Sequence, residues 1–447
     1  MKGYAIGDAV SFEGVVIGSR YGRNATEYIL YTKEGKLSFF SDATIAKGAE
    51  VIVEGKISSI LPLCVNAISI SDKEGVYEKL VSSIEGNARL GDFLFKNELT
   101  TKLDDRFRAI AKRLYSAKEL NRFVLLRFHN DADGVAGAMA LNDFLNFRAV
   151  QQNSAVYQQR EAVNDMSTFY YEKKPLVVLL DFGSNDKSAK QLELLRAAGA
   201  EIILIDHHPL DKEILSIPHF FLSPWLVDGL ENPSSYTAGY LAAEIAKILG
   251  VDSAKYARIA CAGDKSNLLE LSEDDRAAAL VLDYLAGHSR YGNNLAFYRD
   301  VLSRSDLFNS ILAQARESIN EAVEKAKARL KKIEKGEITI YVLPLSNIVK
   351  KGEFPNSSKI VSAILESVNE DKPIVVIGYR EAALILRANK KAKEKGIDFS
   401  KLIAKLNLRF NDFVYSGGGH AVAAAIHTQK GYEQSLINAL IEELISG

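Results

Sequence analysis

The sequence predicts an α/β protein of several domains, in which an open, mostly parallel sheet follows a small N-terminal β-barrel. Three observations support this fold class. Short alternating runs fill the first 75 residues, apolar runs alternate with helical periodicity from residue 121 to about 300, and a smaller set of strands and helices follows residue 337. Strands that alternate with helices are typical of an open α/β sheet. A chain of 447 residues normally divides into several domains.

Residues 1–75 are expected to form five short strands, because alternating runs are separated by Gly, Asn and Lys turns. The segment that begins at Gly48 resembles the fourth strand of an OB-fold. Barrels of that kind often bind single-stranded nucleic acid, with aromatic rings stacked on bases and Arg against phosphate. An equally open alternative is that half of these aromatic rings fill the barrel interior. The candidate contact residues are Arg20, Tyr21, Arg23, Tyr28, Tyr31, Phe39 and Phe40.

Helical periodicity marks the segments between the strand-rich regions. The longest periodic stretch predicts a helix from Ser310 to Lys335 that stops at Gly336, which at ~1.5 Å per residue is close to 40 Å long. Such a helix is long enough to bridge two lobes, although an amphipathic helix that packs on a single core has the same pattern. The predicted segments are a barrel at 1–75, a helical connector at 76–120, a catalytic α/β domain at 121–305, a linker helix at 306–336 and a small α/β domain at 337–447.

Composition excludes several classes of protein. Lys and Arg total 56 against 57 Asp and Glu, so the chain as a whole has no basic excess, although a local basic cluster is enough to bind a polyanion. Cys64 and Cys261 are the only cysteines, which excludes a disulfide scaffold and a cysteine-based zinc site. The N-terminus lacks the apolar segment of a signal peptide, and no apolar run is long enough to cross a membrane. These features predict a cytoplasmic protein that does not bind membranes.

Four short acidic and histidine-rich segments lie within 136 residues, and three of them closely follow apolar runs. Such runs are typical of buried parallel strands, whose carboxyl ends deliver side chains into one crevice. The segments are His129-Asn-Asp131-Ala-Asp133-Gly134, Leu180-Asp181-Phe182-Gly183, Ile205-Asp206-His207-His208-Pro209 and Gly263-Asp264-Lys265. Any one of them has a structural explanation as a turn, a helix cap or a surface charge. Four in this order predict a single metal site.

Carboxylate oxygens suit hard divalent ions, and added imidazole shifts the preference toward Mn²⁺. Asp131 and Asp133 are two positions apart, so in an extended turn both can face one side, and we expect one for each of two ions. Asp181 stands alone after a strand, where one carboxylate can bridge both ions. Two ions roughly 3.5–4 Å apart would clamp the attacking water and the leaving oxygen of a phosphoryl transfer.

Adjacent histidines diverge, so His207 and His208 are expected to have different roles. His207 is assigned as a metal ligand, and His208 as the group that contacts phosphate or protonates the leaving oxygen. Asp206 is expected to contact an imidazole instead of the metal ion, and so to orient that ring. Asp264 supplies a further carboxylate to the ion opposite the one held by Asp131.

The order Asp-x-Asp-Gly, Asp, Asp-His-His and Asp, followed by Gly-Gly-Gly-His near the end of the chain, resembles the DHH/DHHA1 phosphoesterases over about residues 121–447. In bacterial RecJ an acid stands where this chain has His129, so coordination by His129 stays open. The resemblance implies two Mn²⁺ ions, with Mg²⁺ as the alternative, and makes Asp206 and His208 catalytic. The metal ligands that it implies are His129, Asp131, Asp133, Asp181, His207 and Asp264.

In the C-terminal domain, the resemblance implies that Arg387 binds phosphate and that the glycine triplet and the following histidine form a substrate loop. Backbone amides of glycines approach phosphate oxygens closely. The residues of this predicted loop are Gly417, Gly418, Gly419 and His420.

The domain order, with a barrel before the DHH and DHHA1 domains, looks closer to archaeal RecJ-like proteins of the Hef-associated nuclease type than to bacterial RecJ. That resemblance implies a Mn²⁺-dependent exonuclease that degrades single-stranded DNA or RNA by two-metal activation of water, in DNA replication or repair. The implied partners are the nucleic acid and replication or repair proteins, such as the helicase Hef or GINS.

Two alternatives remain open at this point. One is an oligoribonuclease or small-nucleotide phosphoesterase that acts on nanoRNA, phosphoadenosine phosphate or cyclic dinucleotides. The other is a non-catalytic replication factor of the Cdc45 kind. The motifs specify neither the polarity of digestion nor the choice between DNA and RNA, and they leave the oligomeric state undetermined.

Overall fold

The chain divides into two compact units in a computed structural model. The first unit comprises Met1–His129 and Asp133–Leu271, and the second comprises Asn130–Ala132 and Ser272–Gly447. Within the described part of the chain, no helix combines the length and the apolar character that a membrane span requires. The described residues are 3–22, 25–288, 292–349, 353–368, 371–410 and 414–446.

A closed barrel of five strands opens the first unit, as predicted from the alternating runs. The strands are β1 (Ala9–Tyr21), β2 (Thr26–Thr32), β3 (Gly35–Ser41), β4 (Glu50–Ile60) and β5 (Leu63–Asp72). The long first strand pairs with both β2 and β4, and parallel pairing of β3 with β5 closes the barrel. Alternate apolar side chains such as Leu30, Phe39 and Val53 point inward and are completely buried.

Three helices follow the barrel in the segment predicted to be a helical connector. They are α1 (Val76–Asn87), α2 (Glu98–Lys102) and α3 (Asp104–Glu119). The buried face of α1, which includes Leu80 and Ile84, packs on Val15 and Ile17 of β1. A capping box between Asn97 and the residue three positions later starts α2.

Five parallel strands then form the open sheet that the apolar runs predicted. The strands are β6 (Val124–His129), β7 (Arg148–Gln152), β8 (Leu176–Leu180), β9 (Glu201–Ile205) and β10 (Phe220–Leu222). The order across the sheet is β10-β9-β8-β6-β7. The helices of this region are α4 (Ala132–Asn142), α5 (Gln159–Thr168), α6 (Asp186–Ala197), α7 (Ala238–Ile248) and α8 (Ala254–Gly263).

The strand order reverses between β6 and β8. From β6 the chain moves first to β7 on one side and then to β8 on the other side. Ligands of open α/β sheets bind in the crevice that such a switch point creates at the carboxyl ends of the strands. The fold therefore marks the ends of β6 and β8 as the place for a functional site.

The second unit contains three helices followed by a six-stranded sheet. The helices are α9 (Glu273–Ala286), α10 (Leu295–Ser303) and α11 (Ser305–Lys327). The later elements are β11 (Lys331–Lys335), β12 (Ile338–Pro344), α12 (Ser357–Ser367), β13 (Ile374–Arg380), β14 (Ala383–Ala388), α13 (Lys390–Glu394), α14 (Phe399–Arg409), β15 (Val414–His420), β16 (Ala423–Thr428) and α15 (Glu433–Ser446). The order across the sheet is β11-β12-β13-β14-β16-β15, and only β12 and β13 run parallel.

The predicted linker helix is shorter than its periodicity suggested. Helix α11 ends at Lys327, and β11 pairs antiparallel with β12. Gly336, which the sequence suggested as a helix stop, has a φ of 57° and lies in the tight turn of this hairpin. The segment Lys331–Lys335 is therefore a strand, and the prediction that it was helical is wrong.

Candidate metal centre

Three of the predicted metal ligands of the first unit lie at the carboxyl ends of three neighbouring strands. His129 is the last residue of β6, Asp181 follows β8 directly, and His207 comes two residues after β9. Parallel pairing of β6 with β8 and of β8 with β9 brings these ends together at one edge of the sheet. The apolar runs therefore deliver the polar residues that follow them to one place.

Asp181 lies among three imidazoles. Its carboxylate oxygens are 3.6 Å from Nδ1 of His129, 3.4 Å from Nε2 of His207 and 3.8 Å from Nδ1 of His208. Only 1% of this side chain is exposed, and its φ of 68° is unusual for a residue other than glycine. A backbone outlier at a buried carboxylate is typical of a functional site, where the surrounding structure supports the strain.

The Nε2 atom of His207 faces a second set of carboxylates. It lies 3.1 Å from Oδ2 of Asp264 and 3.9 Å from Oδ2 of Asp133. The Nδ1 atom is 3.1 Å from the carbonyl oxygen of Ser234. An Nδ1–H that donates to this carbonyl leaves the Nε2 lone pair for a cation, as expected for a metal-binding histidine. Burial by itself lowers the pKa of His207, but the hydrogen bond and charge of Asp264, together with the charges of Asp133 and Asp206, raise it to about 10, so a bound cation would take the place of the Nε2 proton.

Asp133 lies in the first turn of α4, so the predicted extended turn for Asp131 and Asp133 is wrong at this residue. Its carboxylate accepts hydrogen bonds of 2.9 Å from the Ala238 N–H and 2.8 Å from the Gly239 N–H, the first two residues of α7. These amides orient the carboxylate and present the positive end of the α7 dipole to it.

Two glycines make this arrangement sterically feasible. A Cβ on Gly239 would lie 2.5 Å from the Asp133 carbonyl oxygen and 2.8 Å from its Oδ1. A Cβ on Gly134 would lie 2.8 Å from the His129 nitrogen, so this glycine allows α4 to start close against the end of β6. The φ of Gly134 is not in the left-handed region, so the close approach to His129, and not a turn, accounts for this glycine.

Asp206 holds His208 by a hydrogen bond rather than joining the group of metal-binding atoms. Its Oδ1 is 2.8 Å from Nδ1 of His208, and its Oδ2 accepts hydrogen bonds from the amide and hydroxyl of Ser184. Burial alone would raise the pKa of Asp206, but the charge and hydrogen bond of His208 and the Ser184 hydroxyl hold it well below its usual range. His208 is partly exposed, with Nε2 on the side of the ring away from Asp206.

The predicted residues form three groups whose donor atoms lie within 4.8 Å of one another. The donor set of carboxylate oxygens and imidazole nitrogens, in which Asp133, Asp181 and His207 are buried, fits a divalent ion such as Mn²⁺. Asp181 and His207 each belong to two groups, as shared positions in a two-ion site would require. The groups are Asp133, His207 and Asp264; Asp181, His207 and His208; and His129, Asp131 and Asp181.

In the second unit, Arg387 lies on β14 and points toward α12. Its guanidinium donates to the hydroxyl of Ser362 at 3.1 Å and also to the hydroxyl of Ser358. Gly417 to His420 lie in strand β15 at the edge of the sheet, so the prediction that they form a loop is wrong. Strand pairing places Arg387, Ala423 and His420 in one row, about two strand spacings or ~10 Å from end to end.

The structure separates the barrel candidates into interior and exterior residues. Tyr28 and Phe39 stack on each other inside the barrel, so the prediction that they contact nucleic acid is wrong for this pair. Tyr31 packs against the α1 side of the barrel and is half-buried. Arg20, Tyr21 and Phe40 are exposed. Arg23 lies outside the described residues.

Several residues that support the centre have no motif in the sequence. The carbonyl oxygen of Ser234 fixes the ring of His207, and the Trp225 indole N–H donates to the His207 carbonyl oxygen at 2.8 Å. Ser184 and Gly239 hold Asp206 and Asp133 in the same way. Thr237 is the exception, because threonine is a favoured N-cap residue and its hydroxyl caps α7. It could have indicated the start of the helix whose first amides bind Asp133.

Comparison with known proteins finds a family match in the region that contains the parallel sheet. Residues 123–253 match the family model described as the DHH family, N-terminal domain. The chain is 24% identical to the uncharacterized protein MJ1198 of Methanocaldococcus jannaschii in an alignment of 446 positions that covers 83% of this chain and 58% of that protein. The chain therefore spans little more than half the length of this curated relative.

Two solved structures share the fold. The DHH domain of a member of a family of ribosomal proteins superposes with a TM-score of 0.74 at 22% identity, covering 83% of this chain and 98% of that one. RecJ from Thermus thermophilus, solved in complex with Mn²⁺, gives a TM-score of 0.53 at 15% identity, covering 83% of this chain and 59% of that one. The region that matches the DHH family model contains the strands β6 to β10 and the acidic and histidine motifs from His129 to His208.

Proposed function

We propose that this chain is a metal-dependent phosphodiester hydrolase that removes nucleotides from single-stranded DNA or RNA. The observation that carries the proposal is the buried Asp181 carboxylate, which lies among three imidazoles and beside the group formed by Asp133, His207 and Asp264. Such a buried concentration of acids and histidines, at the switch point of an α/β sheet, is suited to holding two cations against a phosphate.

Mn²⁺ is the proposed ion, with Mg²⁺ as the alternative. Imidazole ligands favour Mn²⁺ over Mg²⁺, and the Thermus RecJ structure that shares this fold was solved with Mn²⁺. When bound, two such ions supply positive charge to the phosphate and favour deprotonation of the attacking water.

His208 is the proposed proton donor to the leaving oxygen. Asp206 holds the Nδ1 side of its ring, so the Nε2 atom is the one available to substrate. A carboxylate partner of this kind fixes the tautomer and orientation of an imidazole that transfers protons. In the second unit, Arg387 and the strand from Gly417 to His420 are proposed to contact phosphate groups of the substrate.

The proposal is tested by digestion of end-labelled single-stranded DNA, single-stranded RNA and duplex DNA with Mn²⁺ or Mg²⁺. Wild type is expected to shorten single strands, and Asp181→Asn to lose at least about a hundredfold in rate, as expected when the ions that stabilise the transition state are lost. Asp252→Asn removes a carboxylate from the exposed surface and serves as the matched control. Intact polymers after treatment with wild type, under conditions that hydrolyse dinucleotides, would contradict the polymer substrate.

A small-nucleotide phosphoesterase is the second candidate, and the position of the barrel favours it. Glu50 of the barrel pairs with Lys174, which precedes the amino-terminal end of β8, whereas Asp181 follows the carboxyl end of the same strand. A dinucleotide at the metal centre would therefore not reach the barrel. Hydrolysis of phosphoadenosine phosphate, cyclic dinucleotides or dinucleotides, without digestion of polymers, would support this candidate.

The proposed cellular setting is DNA replication or repair, and the proposed protein partner is either a helicase such as Hef or the replication protein GINS. This part of the proposal rests on the order of the domains alone. A non-catalytic role of the Cdc45 kind is disfavoured because the acidic and histidine groups are complete. Absence of hydrolysis on every substrate with either ion would restore that role.

A further inference from the structure

The barrel contacts the parallel sheet of the first unit at the amino-terminal ends of its strands. The side-chain amide of Asn121, just before β6, donates to the Ile17 carbonyl oxygen at 2.8 Å. The ammonium group of Lys174, just before β8, lies 3.1 Å from Oε1 of Glu50 at the start of β4. Two neighbouring strands of the sheet thus meet the barrel at the ends where they begin.

Tight packing fixes the barrel in this position. A Cβ on Gly48 would lie 2.9 Å from the Cβ of Lys173, so the barrel loop approaches the chain before β8 as closely as a glycine permits. Helix α1 fills the remaining gap, because Leu80 and Ile84 bury Val15 and Ile17 on the outside of β1. These contacts are all within the first unit.

The metal centre lies at the other ends of the same strands. His129 ends β6 and Asp181 follows β8, and these strands have six and five residues. A parallel strand rises ~3.3 Å per residue, so the attachment points of the barrel and the metal centre are separated by at least about 16–20 Å.

One row of residues on the outer surface of the barrel has the chemistry for a single strand. Strand pairing joins Arg20 to Glu27, Glu27 to Phe40, Phe40 to Asn66 and Asn66 to Lys56. Residues paired in this way face the same side of a sheet. Phe40, in the middle of the row, is 42% exposed. The basic residues Arg20 and Lys56, at the two ends of the row, are also exposed. An aromatic ring for stacking, with cations for phosphate on either side, suits single-stranded nucleic acid, while Glu27 is the single acid in the row.

We propose that this row engages the substrate only when the strand is long enough to reach from the metal centre to the barrel, so that the protein handles long strands and short oligonucleotides differently. The proposal rests on the proposed hydrolase function. At the ~3.4 Å rise of a stacked strand, the roughly 16–20 Å between the metal centre and the attachment points of the barrel corresponds to about five or six nucleotides. Shorter substrates occupy the metal centre without reaching the row.

The test compares KM for single-stranded oligonucleotides of 3, 6, 12 and 24 nucleotides. The double substitution Phe40→Ala with Lys56→Glu is expected to raise the ratio of KM for the 24-mer to KM for the trimer at least about tenfold, because it removes a stacking ring and reverses a phosphate-binding charge. Lys33→Glu, which introduces the same charge in the exposed turn between β2 and β3, is expected to leave the ratio as in wild type. An unchanged ratio in the double variant, or an equal rise at every length, would overturn the proposal.

Binding separates this proposal from the proposed function. Fluorescence anisotropy with labelled oligonucleotides, at moderate salt and in the Asp181→Asn background, measures affinity without hydrolysis. Affinity is expected to increase between 6 and 12 nucleotides only when Phe40 and Lys56 are intact. If wild type hydrolyses no strand but this increase persists, the hydrolase function fails and the length-dependent row stands. If strands are hydrolysed but the increase is absent, the row is wrong.

Discussion

His207 and His208 are neighbours in sequence with different surroundings. His207 is buried and its Nε2 faces Asp264, Asp181 and Asp133, whereas His208 is partly exposed and is held by Asp206. We expect His207→Asn to weaken Mn²⁺ binding at least about tenfold, because outright loss of a ligand costs at least as much as loss of a supporting partner. We expect His208→Asn to keep Mn²⁺ affinity near that of wild type while kcat falls by about 10²–10⁴.

Isothermal titration with Mn²⁺ and single-turnover rates at saturating metal measure these two quantities separately. His219→Asn changes a histidine on the same domain that accepts a hydrogen bond from the Ile202 amide, outside the metal centre, and serves as the control. Equal loss of metal affinity in the two variants would contradict the division of roles.

Gly239 is expected to tolerate no side chain. A Cβ there would lie 2.5 Å from the Asp133 carbonyl oxygen, 2.8 Å from its Oδ1 and 2.7 Å from the Cβ of Ala260, none of which can withdraw easily. Gly239→Ala should displace the Asp133 carboxylate and lower both Mn²⁺ affinity and the midpoint of thermal unfolding.

Gly86→Ala gives the matched control, since this glycine lies in α1 and a Cβ there has nothing within 4 Å. It should leave Mn²⁺ affinity unchanged and, from helix propensity, stabilise the protein by up to about 1 kcal/mol. Wild-type metal affinity in Gly239→Ala, measured by titration, would show that α7 can shift away from Asp133.

For individual residues of the metal centre, the sequence predicted those that carry the donor atoms but not those that hold these side chains in place. His129, Asp181 and His207 could be found because each follows an apolar run that is typical of a strand. Ser234 and Gly239 act through contacts with His207 and Asp133 that lie 27 and 106 positions away along the chain. Local periodicity contains no information about contacts of that range.

Among the elements, β11 shows where periodicity misleads. Ile333 continued the spacing of the apolar residues of α11, yet the segment Lys331–Lys335 forms a strand because its backbone pairs with β12 across a two-residue turn at Gly336. A five-residue segment with one apolar residue carries no usable period. The edge strand β7, with the sequence Arg-Ala-Val-Gln-Gln, escaped prediction for the same reason.

Helix α7 carries a buried carboxylate that is expected to make stability depend on pH. Glu244 accepts hydrogen bonds from the amides of Leu94 and Phe95, and burial raises its pKa to about 7 despite these bonds. Because the pKa in the folded state exceeds the ordinary value of 4.5, the folded protein binds the proton more tightly than the unfolded chain. The associated stability is therefore complete below pH ~4.5 and is lost as pH rises through about 7.

The measurement is the free energy of unfolding in urea, for wild type and Glu244→Gln, in EDTA at pH 5 and pH 8. The wild type should lose up to about 3 kcal/mol relative to Glu244→Gln between these values. A difference between the two proteins that stays the same at both pH values would show that the carboxylate is not protonated in the folded state.

In the second unit, helices α9 and α12 are joined by a charged pair that also holds the backbone between Asp131 and Asp133. Asp283 of α9 accepts a hydrogen bond of 2.8 Å from the Ala132 amide and pairs with Lys359 of α12. Lys359→Met should destabilise the protein by about 1.5–3 kcal/mol, because it leaves a largely buried carboxylate without its cation. Asp283→Asn in the same background should recover part of that loss.

A double-mutant cycle in urea measures this coupling. Lys325→Met, which breaks an exposed pair with Glu321 on α11, should change stability by less than about 1 kcal/mol and is the control. Additive effects of the two substitutions would mean that Asp283 and Lys359 do not stabilise each other.

For the whole molecule, the barrel and the parallel sheet could each be predicted from local patterns, but their arrangement could not. The alternation in residues 1–75 predicts five strands, and the apolar runs predict the sheet. The attachment of the barrel at the amino-terminal edge depends on Asn121, Lys174 and the packing of α1, which no motif indicates. That attachment changes the expected role of the barrel from a contact near the reaction to one reached only by long substrates.

Metal binding is expected to stabilise the fold, because the donor atoms come from separate parts of the chain that meet only in the folded state. His129, Asp181 and Asp264 span 136 residues, so an unfolded chain offers no comparable site. An ion that binds only the folded protein adds about 2.7 kcal/mol at a free concentration of about 100 times Kd. Calorimetry with increasing Mn²⁺ should show a rising Tm in wild type and a much smaller rise in Asp181→Asn. Asp252→Asn should respond like wild type, and a Tm independent of Mn²⁺ in wild type would contradict the assignment of these residues to a metal centre.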